Sequence, residues 1–332
     1  MQLNQSEVLR LAIVGVGNNT AALVQGVRLY SAGAVHEPRA AWTPLARRTV
    51  FVAAFDIDDE KVGYPLDQAI FRGQNNHPRY QGFESVDRSP AVRPGIRVSA
   101  DGDSSRDRVT NDLRQLGAEI VILSLPAGMG GIAKAYAGAA LDAGASVINC
   151  SPDVVARDAA LEDAFARSGL VIAGDDLASQ FGSSFVHAAL LRLMRERGVQ
   201  PESSYQLNLG GNEDFRNLRE HPNEKLESKL NVLRDVAGTS ELSVIPSAGH
   251  VPHLGDRKVA HINLVGTGWA GASLSIDLKL DVLDSANAAA VIFDLVGVVE
   301  AEIRAGGSGF PSAAVPLLKS PARQAMQGEG GT

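Results

Sequence analysis

Through the first half of the chain, short apolar runs alternate with stretches of helical periodicity. Leu11–Val14, Phe51–Asp56, Ala118–Leu125, Ala145–Asn149 and Leu170–Ala173 read as strands, and Ala21–Gly26, Ile132–Ala143 and Ala159–Arg167 read as helices. That alternation predicts an α/β fold, a Rossmann-type doubly wound parallel sheet with helices on both faces. Ligands in such sheets lie beyond the carboxyl ends of the strands. The tips here are Ser124-Leu-Pro126, Asn149-Cys-Ser-Pro152 and Gly174-Asp-Asp176, which should ring one crevice. Ser31 to Arg48, with two prolines, reads as an inserted loop.

After Arg197 the period changes to two. In Ser204–Gly211, Tyr205, Leu207 and Leu209 lie opposite Gln206 and Asn208. Ala260–Val265 and Ser273–Leu283 alternate in the same way. Strands with one buried and one wet face imply a mixed or antiparallel sheet, which can also form a subunit interface. Asn287–Arg304 is apolar and helical and is expected to pack back on the first domain, and the glycine-rich tail from Gln327 reads as disordered. The domains are therefore expected at 1–185 (nucleotide binding), 186–284 (an α+β catalytic and oligomerisation domain) and 285–332 (the returning C-terminal segment).

The first strand breaks at Gly15 and Gly17, and a helix-like run follows at once. Strand, glycine turn and helix N-terminus make an anion cradle, since free backbone N–H groups and the positive helix end point at the same place. Gly15 permits the tight turn and Gly17 lets a pyrophosphate approach; the third fingerprint position falls on Thr20. Asp56 ends the second strand and can accept hydrogen bonds from a ribose diol, which favours NAD over its 2′-phosphorylated form. It lies further along than the usual spacing of about 20 residues, because of the Ser31–Arg48 insertion. The alternative is a glycine turn that binds no nucleotide, with Asp56 a strand terminator.

Composition narrows the function classes. At 332 residues two domains with real cores are affordable. A net charge of −7 offers no basic surface for nucleic acid. No apolar run reaches membrane-spanning length, the start lacks the pattern of a signal peptide, and the single cysteine, Cys150, forms no internal disulfide. A cytoplasmic protein is expected. Cys150, just past an apolar strand, reads as a packing residue. His250-x-x-His253 has metal-ligand spacing, but no cysteine or acidic cluster completes a site, and no metal is expected.

Further motifs run along nearly the whole chain. They include GVGN at Gly15–Asn18, FVAAFDID at Phe51–Asp58, Asn75-Asn76, GDD at Gly174–Asp176 and Ser179-Gln-Phe-Gly-Ser-Ser184. LNLGGN at Leu207–Asn212 continues through Asp214-Phe215 to Leu226-Glu-Ser-Lys229. Asp256-Arg-Lys258, Asp284-Ser285 and Leu318-Lys319-Ser-Pro321 complete the set. Together they resemble the myo-inositol-1-phosphate synthase family, especially its shorter prokaryotic members.

The resemblance implies a redox-neutral cyclase that recycles NAD. Carbon five of a hexose 6-phosphate is oxidised, carbon six loses a proton, the enolate attacks a carbonyl of the same chain, and the hydride is returned. Fixed ammonium groups suit the negative charge that develops, and a buried lysine suits proton transfer. By resemblance, Lys229 serves the carbon-five oxygen, and Lys258 and Lys319 surround the phosphate and the reacting carbonyl. Asp176, Asn208 and Asp214 orient hydroxyls or lysines. Ser179, Gln180, Gly182 and Ser183 hold the phosphate. Gly15, Gly17, Asn18, Asn19, Asp56, Asn75, Asn76, Ser124, Asp175, Asp284 and Ser285 are the expected cofactor contacts. The family also suggests a homotetramer built through the second-domain sheet. Read without the family, Lys229 is a solvated helix residue in a Glu/Lys stretch, Asp214 a helix N-cap and Lys319 a surface loop residue.

Two departures stand out. The family has a second lysine after its LNLGGN block where this chain has Leu233, and a lysine after GDD where it has Ala178. Arg234 does not replace the first, since helix neighbours point about 100° apart. Two missing charges imply a changed substrate or phosphate pose. Fructose 6-phosphate, whose ketone is at carbon two, would close a five-membered ring by the same chemistry. The competing readings are inositol phosphate synthesis from glucose 6-phosphate, a non-catalytic NAD-binding regulatory protein, and a plain dehydrogenase.

Overall fold

The computed structural model describes residues 8–36, 38–97, 102–213, 215–216 and 248–321. Asp214, Lys229, Leu233 and the tail from Gln327 lie outside the described residues. The chain divides into two compact units, Met1–Ala178 with Ala288–Thr332, and Ser179–Asn287.

The first unit holds six parallel strands: β1 (Leu9–Val14), β2 (Thr49–Asp56), β3 (Val92–Pro94), β4 (Ile120–Leu123), β5 (Ser146–Asn149) and β6 (Ile172–Ala173). Their order, β3-β2-β1-β4-β5-β6, is that of the dinucleotide-binding Rossmann sheet, with its switch point between β1 and β4. Alternate residues of β1 feed opposite cores, which is why every residue of the strand but Arg10 is apolar. Leu11 and Ile13 pack on one face with α1 (Asn18–Ala32), while Ala12 and Val14 pack on the other with α4 (Gly102–Leu116) and α5 (Gly130–Ala143). The Ser31–Arg48 stretch is not simply a loop. It contains α2 (Trp42–Arg48), whose Trp42, Leu45 and Ala46 are buried. A four-residue helix, α3 (Leu66–Ala69), follows β2, and α6 (Ala159–Arg167) precedes β6.

The second unit opens with α7 (Ser183–Glu196) and continues with β7 (Gln200–Gly210), β8 (Ala248–His250), β9 (Arg257–Thr267) and β10 (Ser273–Leu283). The strand order is β10-β9-β7-β8, with β7 parallel to β8 and the other pairings antiparallel. The alternation on β7 is as read, but its polar face is the covered one. Ser204, Gln206 and Asn208 are buried, whereas Tyr205 is 38% exposed. The reason is that α7 brings polar partners, Ser183 and His187, to that face. Its own apolar residues Ala188, Leu191 and Met194 pack lower down on Ile262 and Leu264 of β9.

The first unit ends at Ala178, short of the expected residue 185. The next segment is tied to the second unit: the Gln180 and Phe181 N–H groups donate to the backbone and side-chain oxygens of Asn287, at 3.1 and 2.9 Å. A last helix, α8 (Asp284–Arg304), joins the first unit from Ala288 onward. There Ile292, Leu295, Val296 and Val299 share a core with Leu11 and Ile13. Asp294 accepts the Trp42 indole N–H at 2.8 Å, and Glu300 pairs with Arg48 and Arg304, so the helix secures the insertion. Burial would raise the Glu300 pKa, but the two guanidiniums hold it below the usual carboxylate value.

Candidate active site

In the first unit the glycine turn is built from both sides. Gly15 has φ +87°, and a Cβ there would lie 2.3 Å from the Ser124 carbonyl oxygen, so only glycine fits. Thr20, at the third fingerprint position, is buried and donates its hydroxyl to the Gly15 carbonyl at 2.7 Å. It ties the turn to α1 by a bond that glycine could not make, a role the spacing did not disclose. Gly17 precedes α1, no side chain caps that helix, and its first turn holds no acid. A Cβ on Gly17 would meet nothing within 4 Å. Open space before an uncapped helix N-terminus fits a dinucleotide pyrophosphate.

Several other expected cofactor residues are arranged around this turn. Asp56 closes β2. Its Oδ2 accepts the Val16 N–H at 2.6 Å, and its Oδ1 accepts the Ile57 and Asp58 N–H groups at 2.7 and 2.9 Å. A carboxylate keeps further lone pairs beyond three such bonds, so acceptance from a ribose remains open to it. Asn75 donates to the Val16 and Ile70 carbonyls, both at 2.9 Å. Asn18 Nδ2 donates to Asn76 Oδ1 at 2.6 Å, and Asn19 follows in the first turn of α1. Ser124 donates its N–H to Val14 at the tip of β4, at 2.8 Å.

Asp175 departs from expectation. Read as a cofactor contact, it is fully buried, and the protein itself uses both its oxygens. Oδ1 accepts from Asn149 Nδ2 at 2.7 Å and Ala156 N–H at 3.0 Å. Oδ2 accepts from the Val155 N–H at 3.1 Å and from the Arg157 N–H and Nε, both at 3.2 Å. Burial nevertheless leaves its pKa raised. Asp176, one residue on, pairs with a lysine. Lys319 donates its Nζ to Asp176 Oδ1 at 3.2 Å and its N–H to the Asp176 carbonyl at 2.7 Å. An antiparallel bridge between Leu177 and Leu318 holds the two segments together. Cys150 packs against the core, and burial pushes its thiol pKa upward, as suits a packing residue.

In the second unit, Gly182 precedes α7, and no side chain caps that helix either. A Cβ on Gly182 would lie 2.8 Å from that of Ser179. The Ser183 hydroxyl, expected on a phosphate, is committed to the protein: it donates to Asn208 Oδ1 and accepts from Gln206 Nε2, both at 2.9 Å. Gln206 is therefore a site residue missed in the sequence, although period two places it on the same face as Asn208. Asn208 is fully buried, and its Nδ2 has no partner among the described residues. His187 meets the Ser204 hydroxyl at 3.0 Å, and burial pushes its imidazole pKa down.

Lys258 donates to Asp284 Oδ1 at 3.1 Å and lies 5.6 Å from the centre of the Phe215 ring. Asn212 Nδ2 donates to both Asp284 Oδ2 and Asp256 Oδ1 at 3.4 Å, and Ser285 donates to Asp256 Oδ1 at 2.6 Å. Asp284 and Ser285, expected at the cofactor, make these bonds to Lys258 and Asp256. Asp256 and Asn212 lie in motifs read from the sequence, which gave neither of them a role. Among the described residues no three His, Cys, Asp or Glu side chains group as a metal site.

Comparison with known proteins decides the family. A sequence profile described as Myo-inositol-1-phosphate synthase matches residues 182–285. The inositol-3-phosphate synthase of Mycolicibacterium smegmatis is 36% identical over 346 residues, covering 95% of this chain and 94% of the relative. The chain belongs to the myo-inositol-1-phosphate synthase family. The inositol-3-phosphate synthase of Corynebacterium glutamicum is 34% identical, covering 96% of this chain and 95% of that protein. A crystal structure of Ari2 superposes with a TM-score of 0.85 at 46% identity, covering 96% of this chain and 93% of that one. A myo-inositol-1-phosphate synthase-related protein from Thermotoga maritima shares the fold at TM-score 0.80 and 21% identity, covering 95% and 93%. The family profile spans the whole stretch from α7 to Ser285, including Asn208, Lys258 and Asp284. No helix among the described residues is long and apolar enough to cross a membrane.

Proposed function

We propose that this family member is an NAD-dependent sugar-phosphate cyclase that takes fructose 6-phosphate and closes a five-membered cyclitol phosphate. The substrate choice is carried by one observation, the loss of two family lysines at Ala178 and Leu233. Ala178 is buried, and its N–H donates to the Leu317 carbonyl at 3.0 Å, so a small side chain is built into that strand-like pairing. Fewer cations favour another pose for the phosphate and with it another acceptor carbonyl.

NAD is supported by the uncapped α1 N-terminus, the space at Gly17 and the carboxylate of Asp56. NAD held at this turn would supply a reversible hydride acceptor for carbon five. Lys319 and Lys258, each held by a carboxylate, supply fixed positive charge to the oxygens that become negative. Asp176 and Asp284 keep those ammonium groups from swinging away. Lys229 takes the carbon-five oxygen, and Asp214 orients a substrate hydroxyl. The phosphate is received by backbone N–H groups at the start of α7, with Ser179 and Gln180 beside them, rather than by the Ser183 hydroxyl. Asn208 offers a substrate hydroxyl its Nδ2, which has no partner among the described residues.

Incubation with NAD and each hexose phosphate separately, followed by NMR of the products, tests this reading. A carbocyclic five-membered phosphate from fructose 6-phosphate, with no NADH accumulating, is expected. Inositol phosphate from glucose 6-phosphate would return the protein to the activity for which its relatives are named. Steady NADH build-up would mark a dehydrogenase, and no turnover with any sugar phosphate would favour a regulatory role.

The single cysteine suits a reducing cytoplasm. The assembly in this reading is a homotetramer formed through the second unit, which leaves Phe181, Phe185, Leu193 and Trp269 exposed, the last at 92%. Light scattering should give four subunits at micromolar concentration, and a monomeric mass would refute it.

A further inference from the structure

We infer that Lys61 is a positioning residue for the glycine turn, acting through Asn75; the inference rests on the proposed use of that turn for a dinucleotide. Lys61 lies in the turn after β2 and is only 6% exposed. A buried ammonium must be paired and hydrogen-bonded. Its Nζ donates to Asn75 Oδ1 at 3.2 Å and lies 3.5 Å from Asp58 Oδ2. Gly73, at φ +62°, makes room for the pair, since a Cβ there would lie 2.3 Å from Asp58 Oδ2 and 3.1 Å from Lys61 Cε.

The consequence reaches Val16, the residue between the two glycines. Its N–H donates to Asp56 Oδ2 at 2.6 Å, and its carbonyl accepts from Asn75 Nδ2 at 2.9 Å. Both peptide groups of Val16 are thus clamped. The second half of the clamp depends on which way the Asn75 amide faces. An asparagine amide has an acceptor side and a donor side, and a half-turn exchanges them. Turned over, Asn75 would present its oxygen to the carbonyls of Val16 and Ile70. The ammonium of Lys61 on Oδ1 selects the productive orientation, because it can only donate. The lysine stem lies against Gly73.

A structural cation that merely balances Asp58 would have another signature, so two measurements separate the cases. In Lys61→Met, hydrogen exchange of the NAD-free protein is expected to quicken about tenfold at the Val16 amide and stay unchanged in β5 and β6, the loss of a charge-assisted bond. The NAD dissociation constant should rise by about tenfold, with kcat at saturating NAD within about threefold of wild type. Asn75→Ala should show the same exchange at Val16 and the same loss of NAD affinity, and in both readouts the double variant should be no worse than Asn75→Ala, since residues acting through one path are not additive. Additive losses, or exchange that quickens evenly across the protein with unchanged NAD affinity, would overturn the inference. A wild-type protein that binds no NAD would instead end the cofactor reading, and the exchange data would still decide the clamp.

Discussion

Lys319→Met and Lys258→Met are each expected to lower kcat by about 10²–10³, equivalent to about 3–4 kcal/mol of transition-state stabilisation. The magnitude follows from where the charges are fixed. Lys319 is held on Asp176 by its backbone N–H and its side chain, and Lys258 is held on Asp284 over the Phe215 ring. An ammonium oriented before the reaction needs no rearrangement when an enolate or alkoxide develops. Methionine keeps the stem and its packing but carries no charge. Product formation followed by NMR at saturating NAD checks the loss, and NAD affinity should stay within about threefold of wild type. Because the change removes the ammonium from a largely buried Asp176 carboxylate, Lys319→Met should also melt earlier, and Asp176→Asn in the same chain should restore part of the stability without restoring turnover. Full activity in either methionine variant would remove ammonium stabilisation from the mechanism.

The pairing of lysines with acids shows how far a sequence carries such a site. The motifs located Lys258, Lys319, Asp176 and Asp284, but which acid holds which lysine depends on contacts 26 and 143 residues apart along the chain. Nothing local encodes them. The Rossmann unit was legible because strands buried on both faces form nearly continuous apolar runs, as Leu11–Val14 of β1, β4 and Val147-Ile148 of β5 do. The helix α4 carried little signal, since Val109 and Leu113 are its only fully buried apolar residues within a highly charged segment. In α2 the proline at position 44 disguised a helix, although proline is tolerated in a first turn. For β7, alternation defines which residues share a face but not which face is covered. The covering helix supplies Ser183 and His187, and so the polar side went inward.

Asp175→Asn is expected to destabilise the protein by about 3 kcal/mol at neutral pH while leaving the NAD affinity of the folded fraction within about threefold. The two acids of the GDD motif are adjacent, and adjacent side chains diverge: Asp176 meets Lys319, whereas Asp175 enters the interior and organises residues 155–157. Every group facing its oxygens is a donor. An asparagine offers one acceptor and turns an N–H₂ toward the others, which leaves buried N–H groups of Val155 and Arg157 or of Ala156 unsatisfied, according to its orientation. The pH dependence has a defined sign. Burial raises the Asp175 pKa above its unfolded value, with the hydrogen bonds opposing that rise. A carboxyl with a raised folded pKa contributes stability that is complete below the unfolded value, about 3.9, and is lost as pH climbs through the folded one. Asparagine does not titrate, so the wild-type advantage should be widest in acid and narrow toward neutrality. Denaturant unfolding at a series of pH values, with and without NAD, reads both effects. A variant of wild-type stability that fails to bind NAD would make Asp175 a cofactor contact after all, and would mean that the loop it now holds opens in solution.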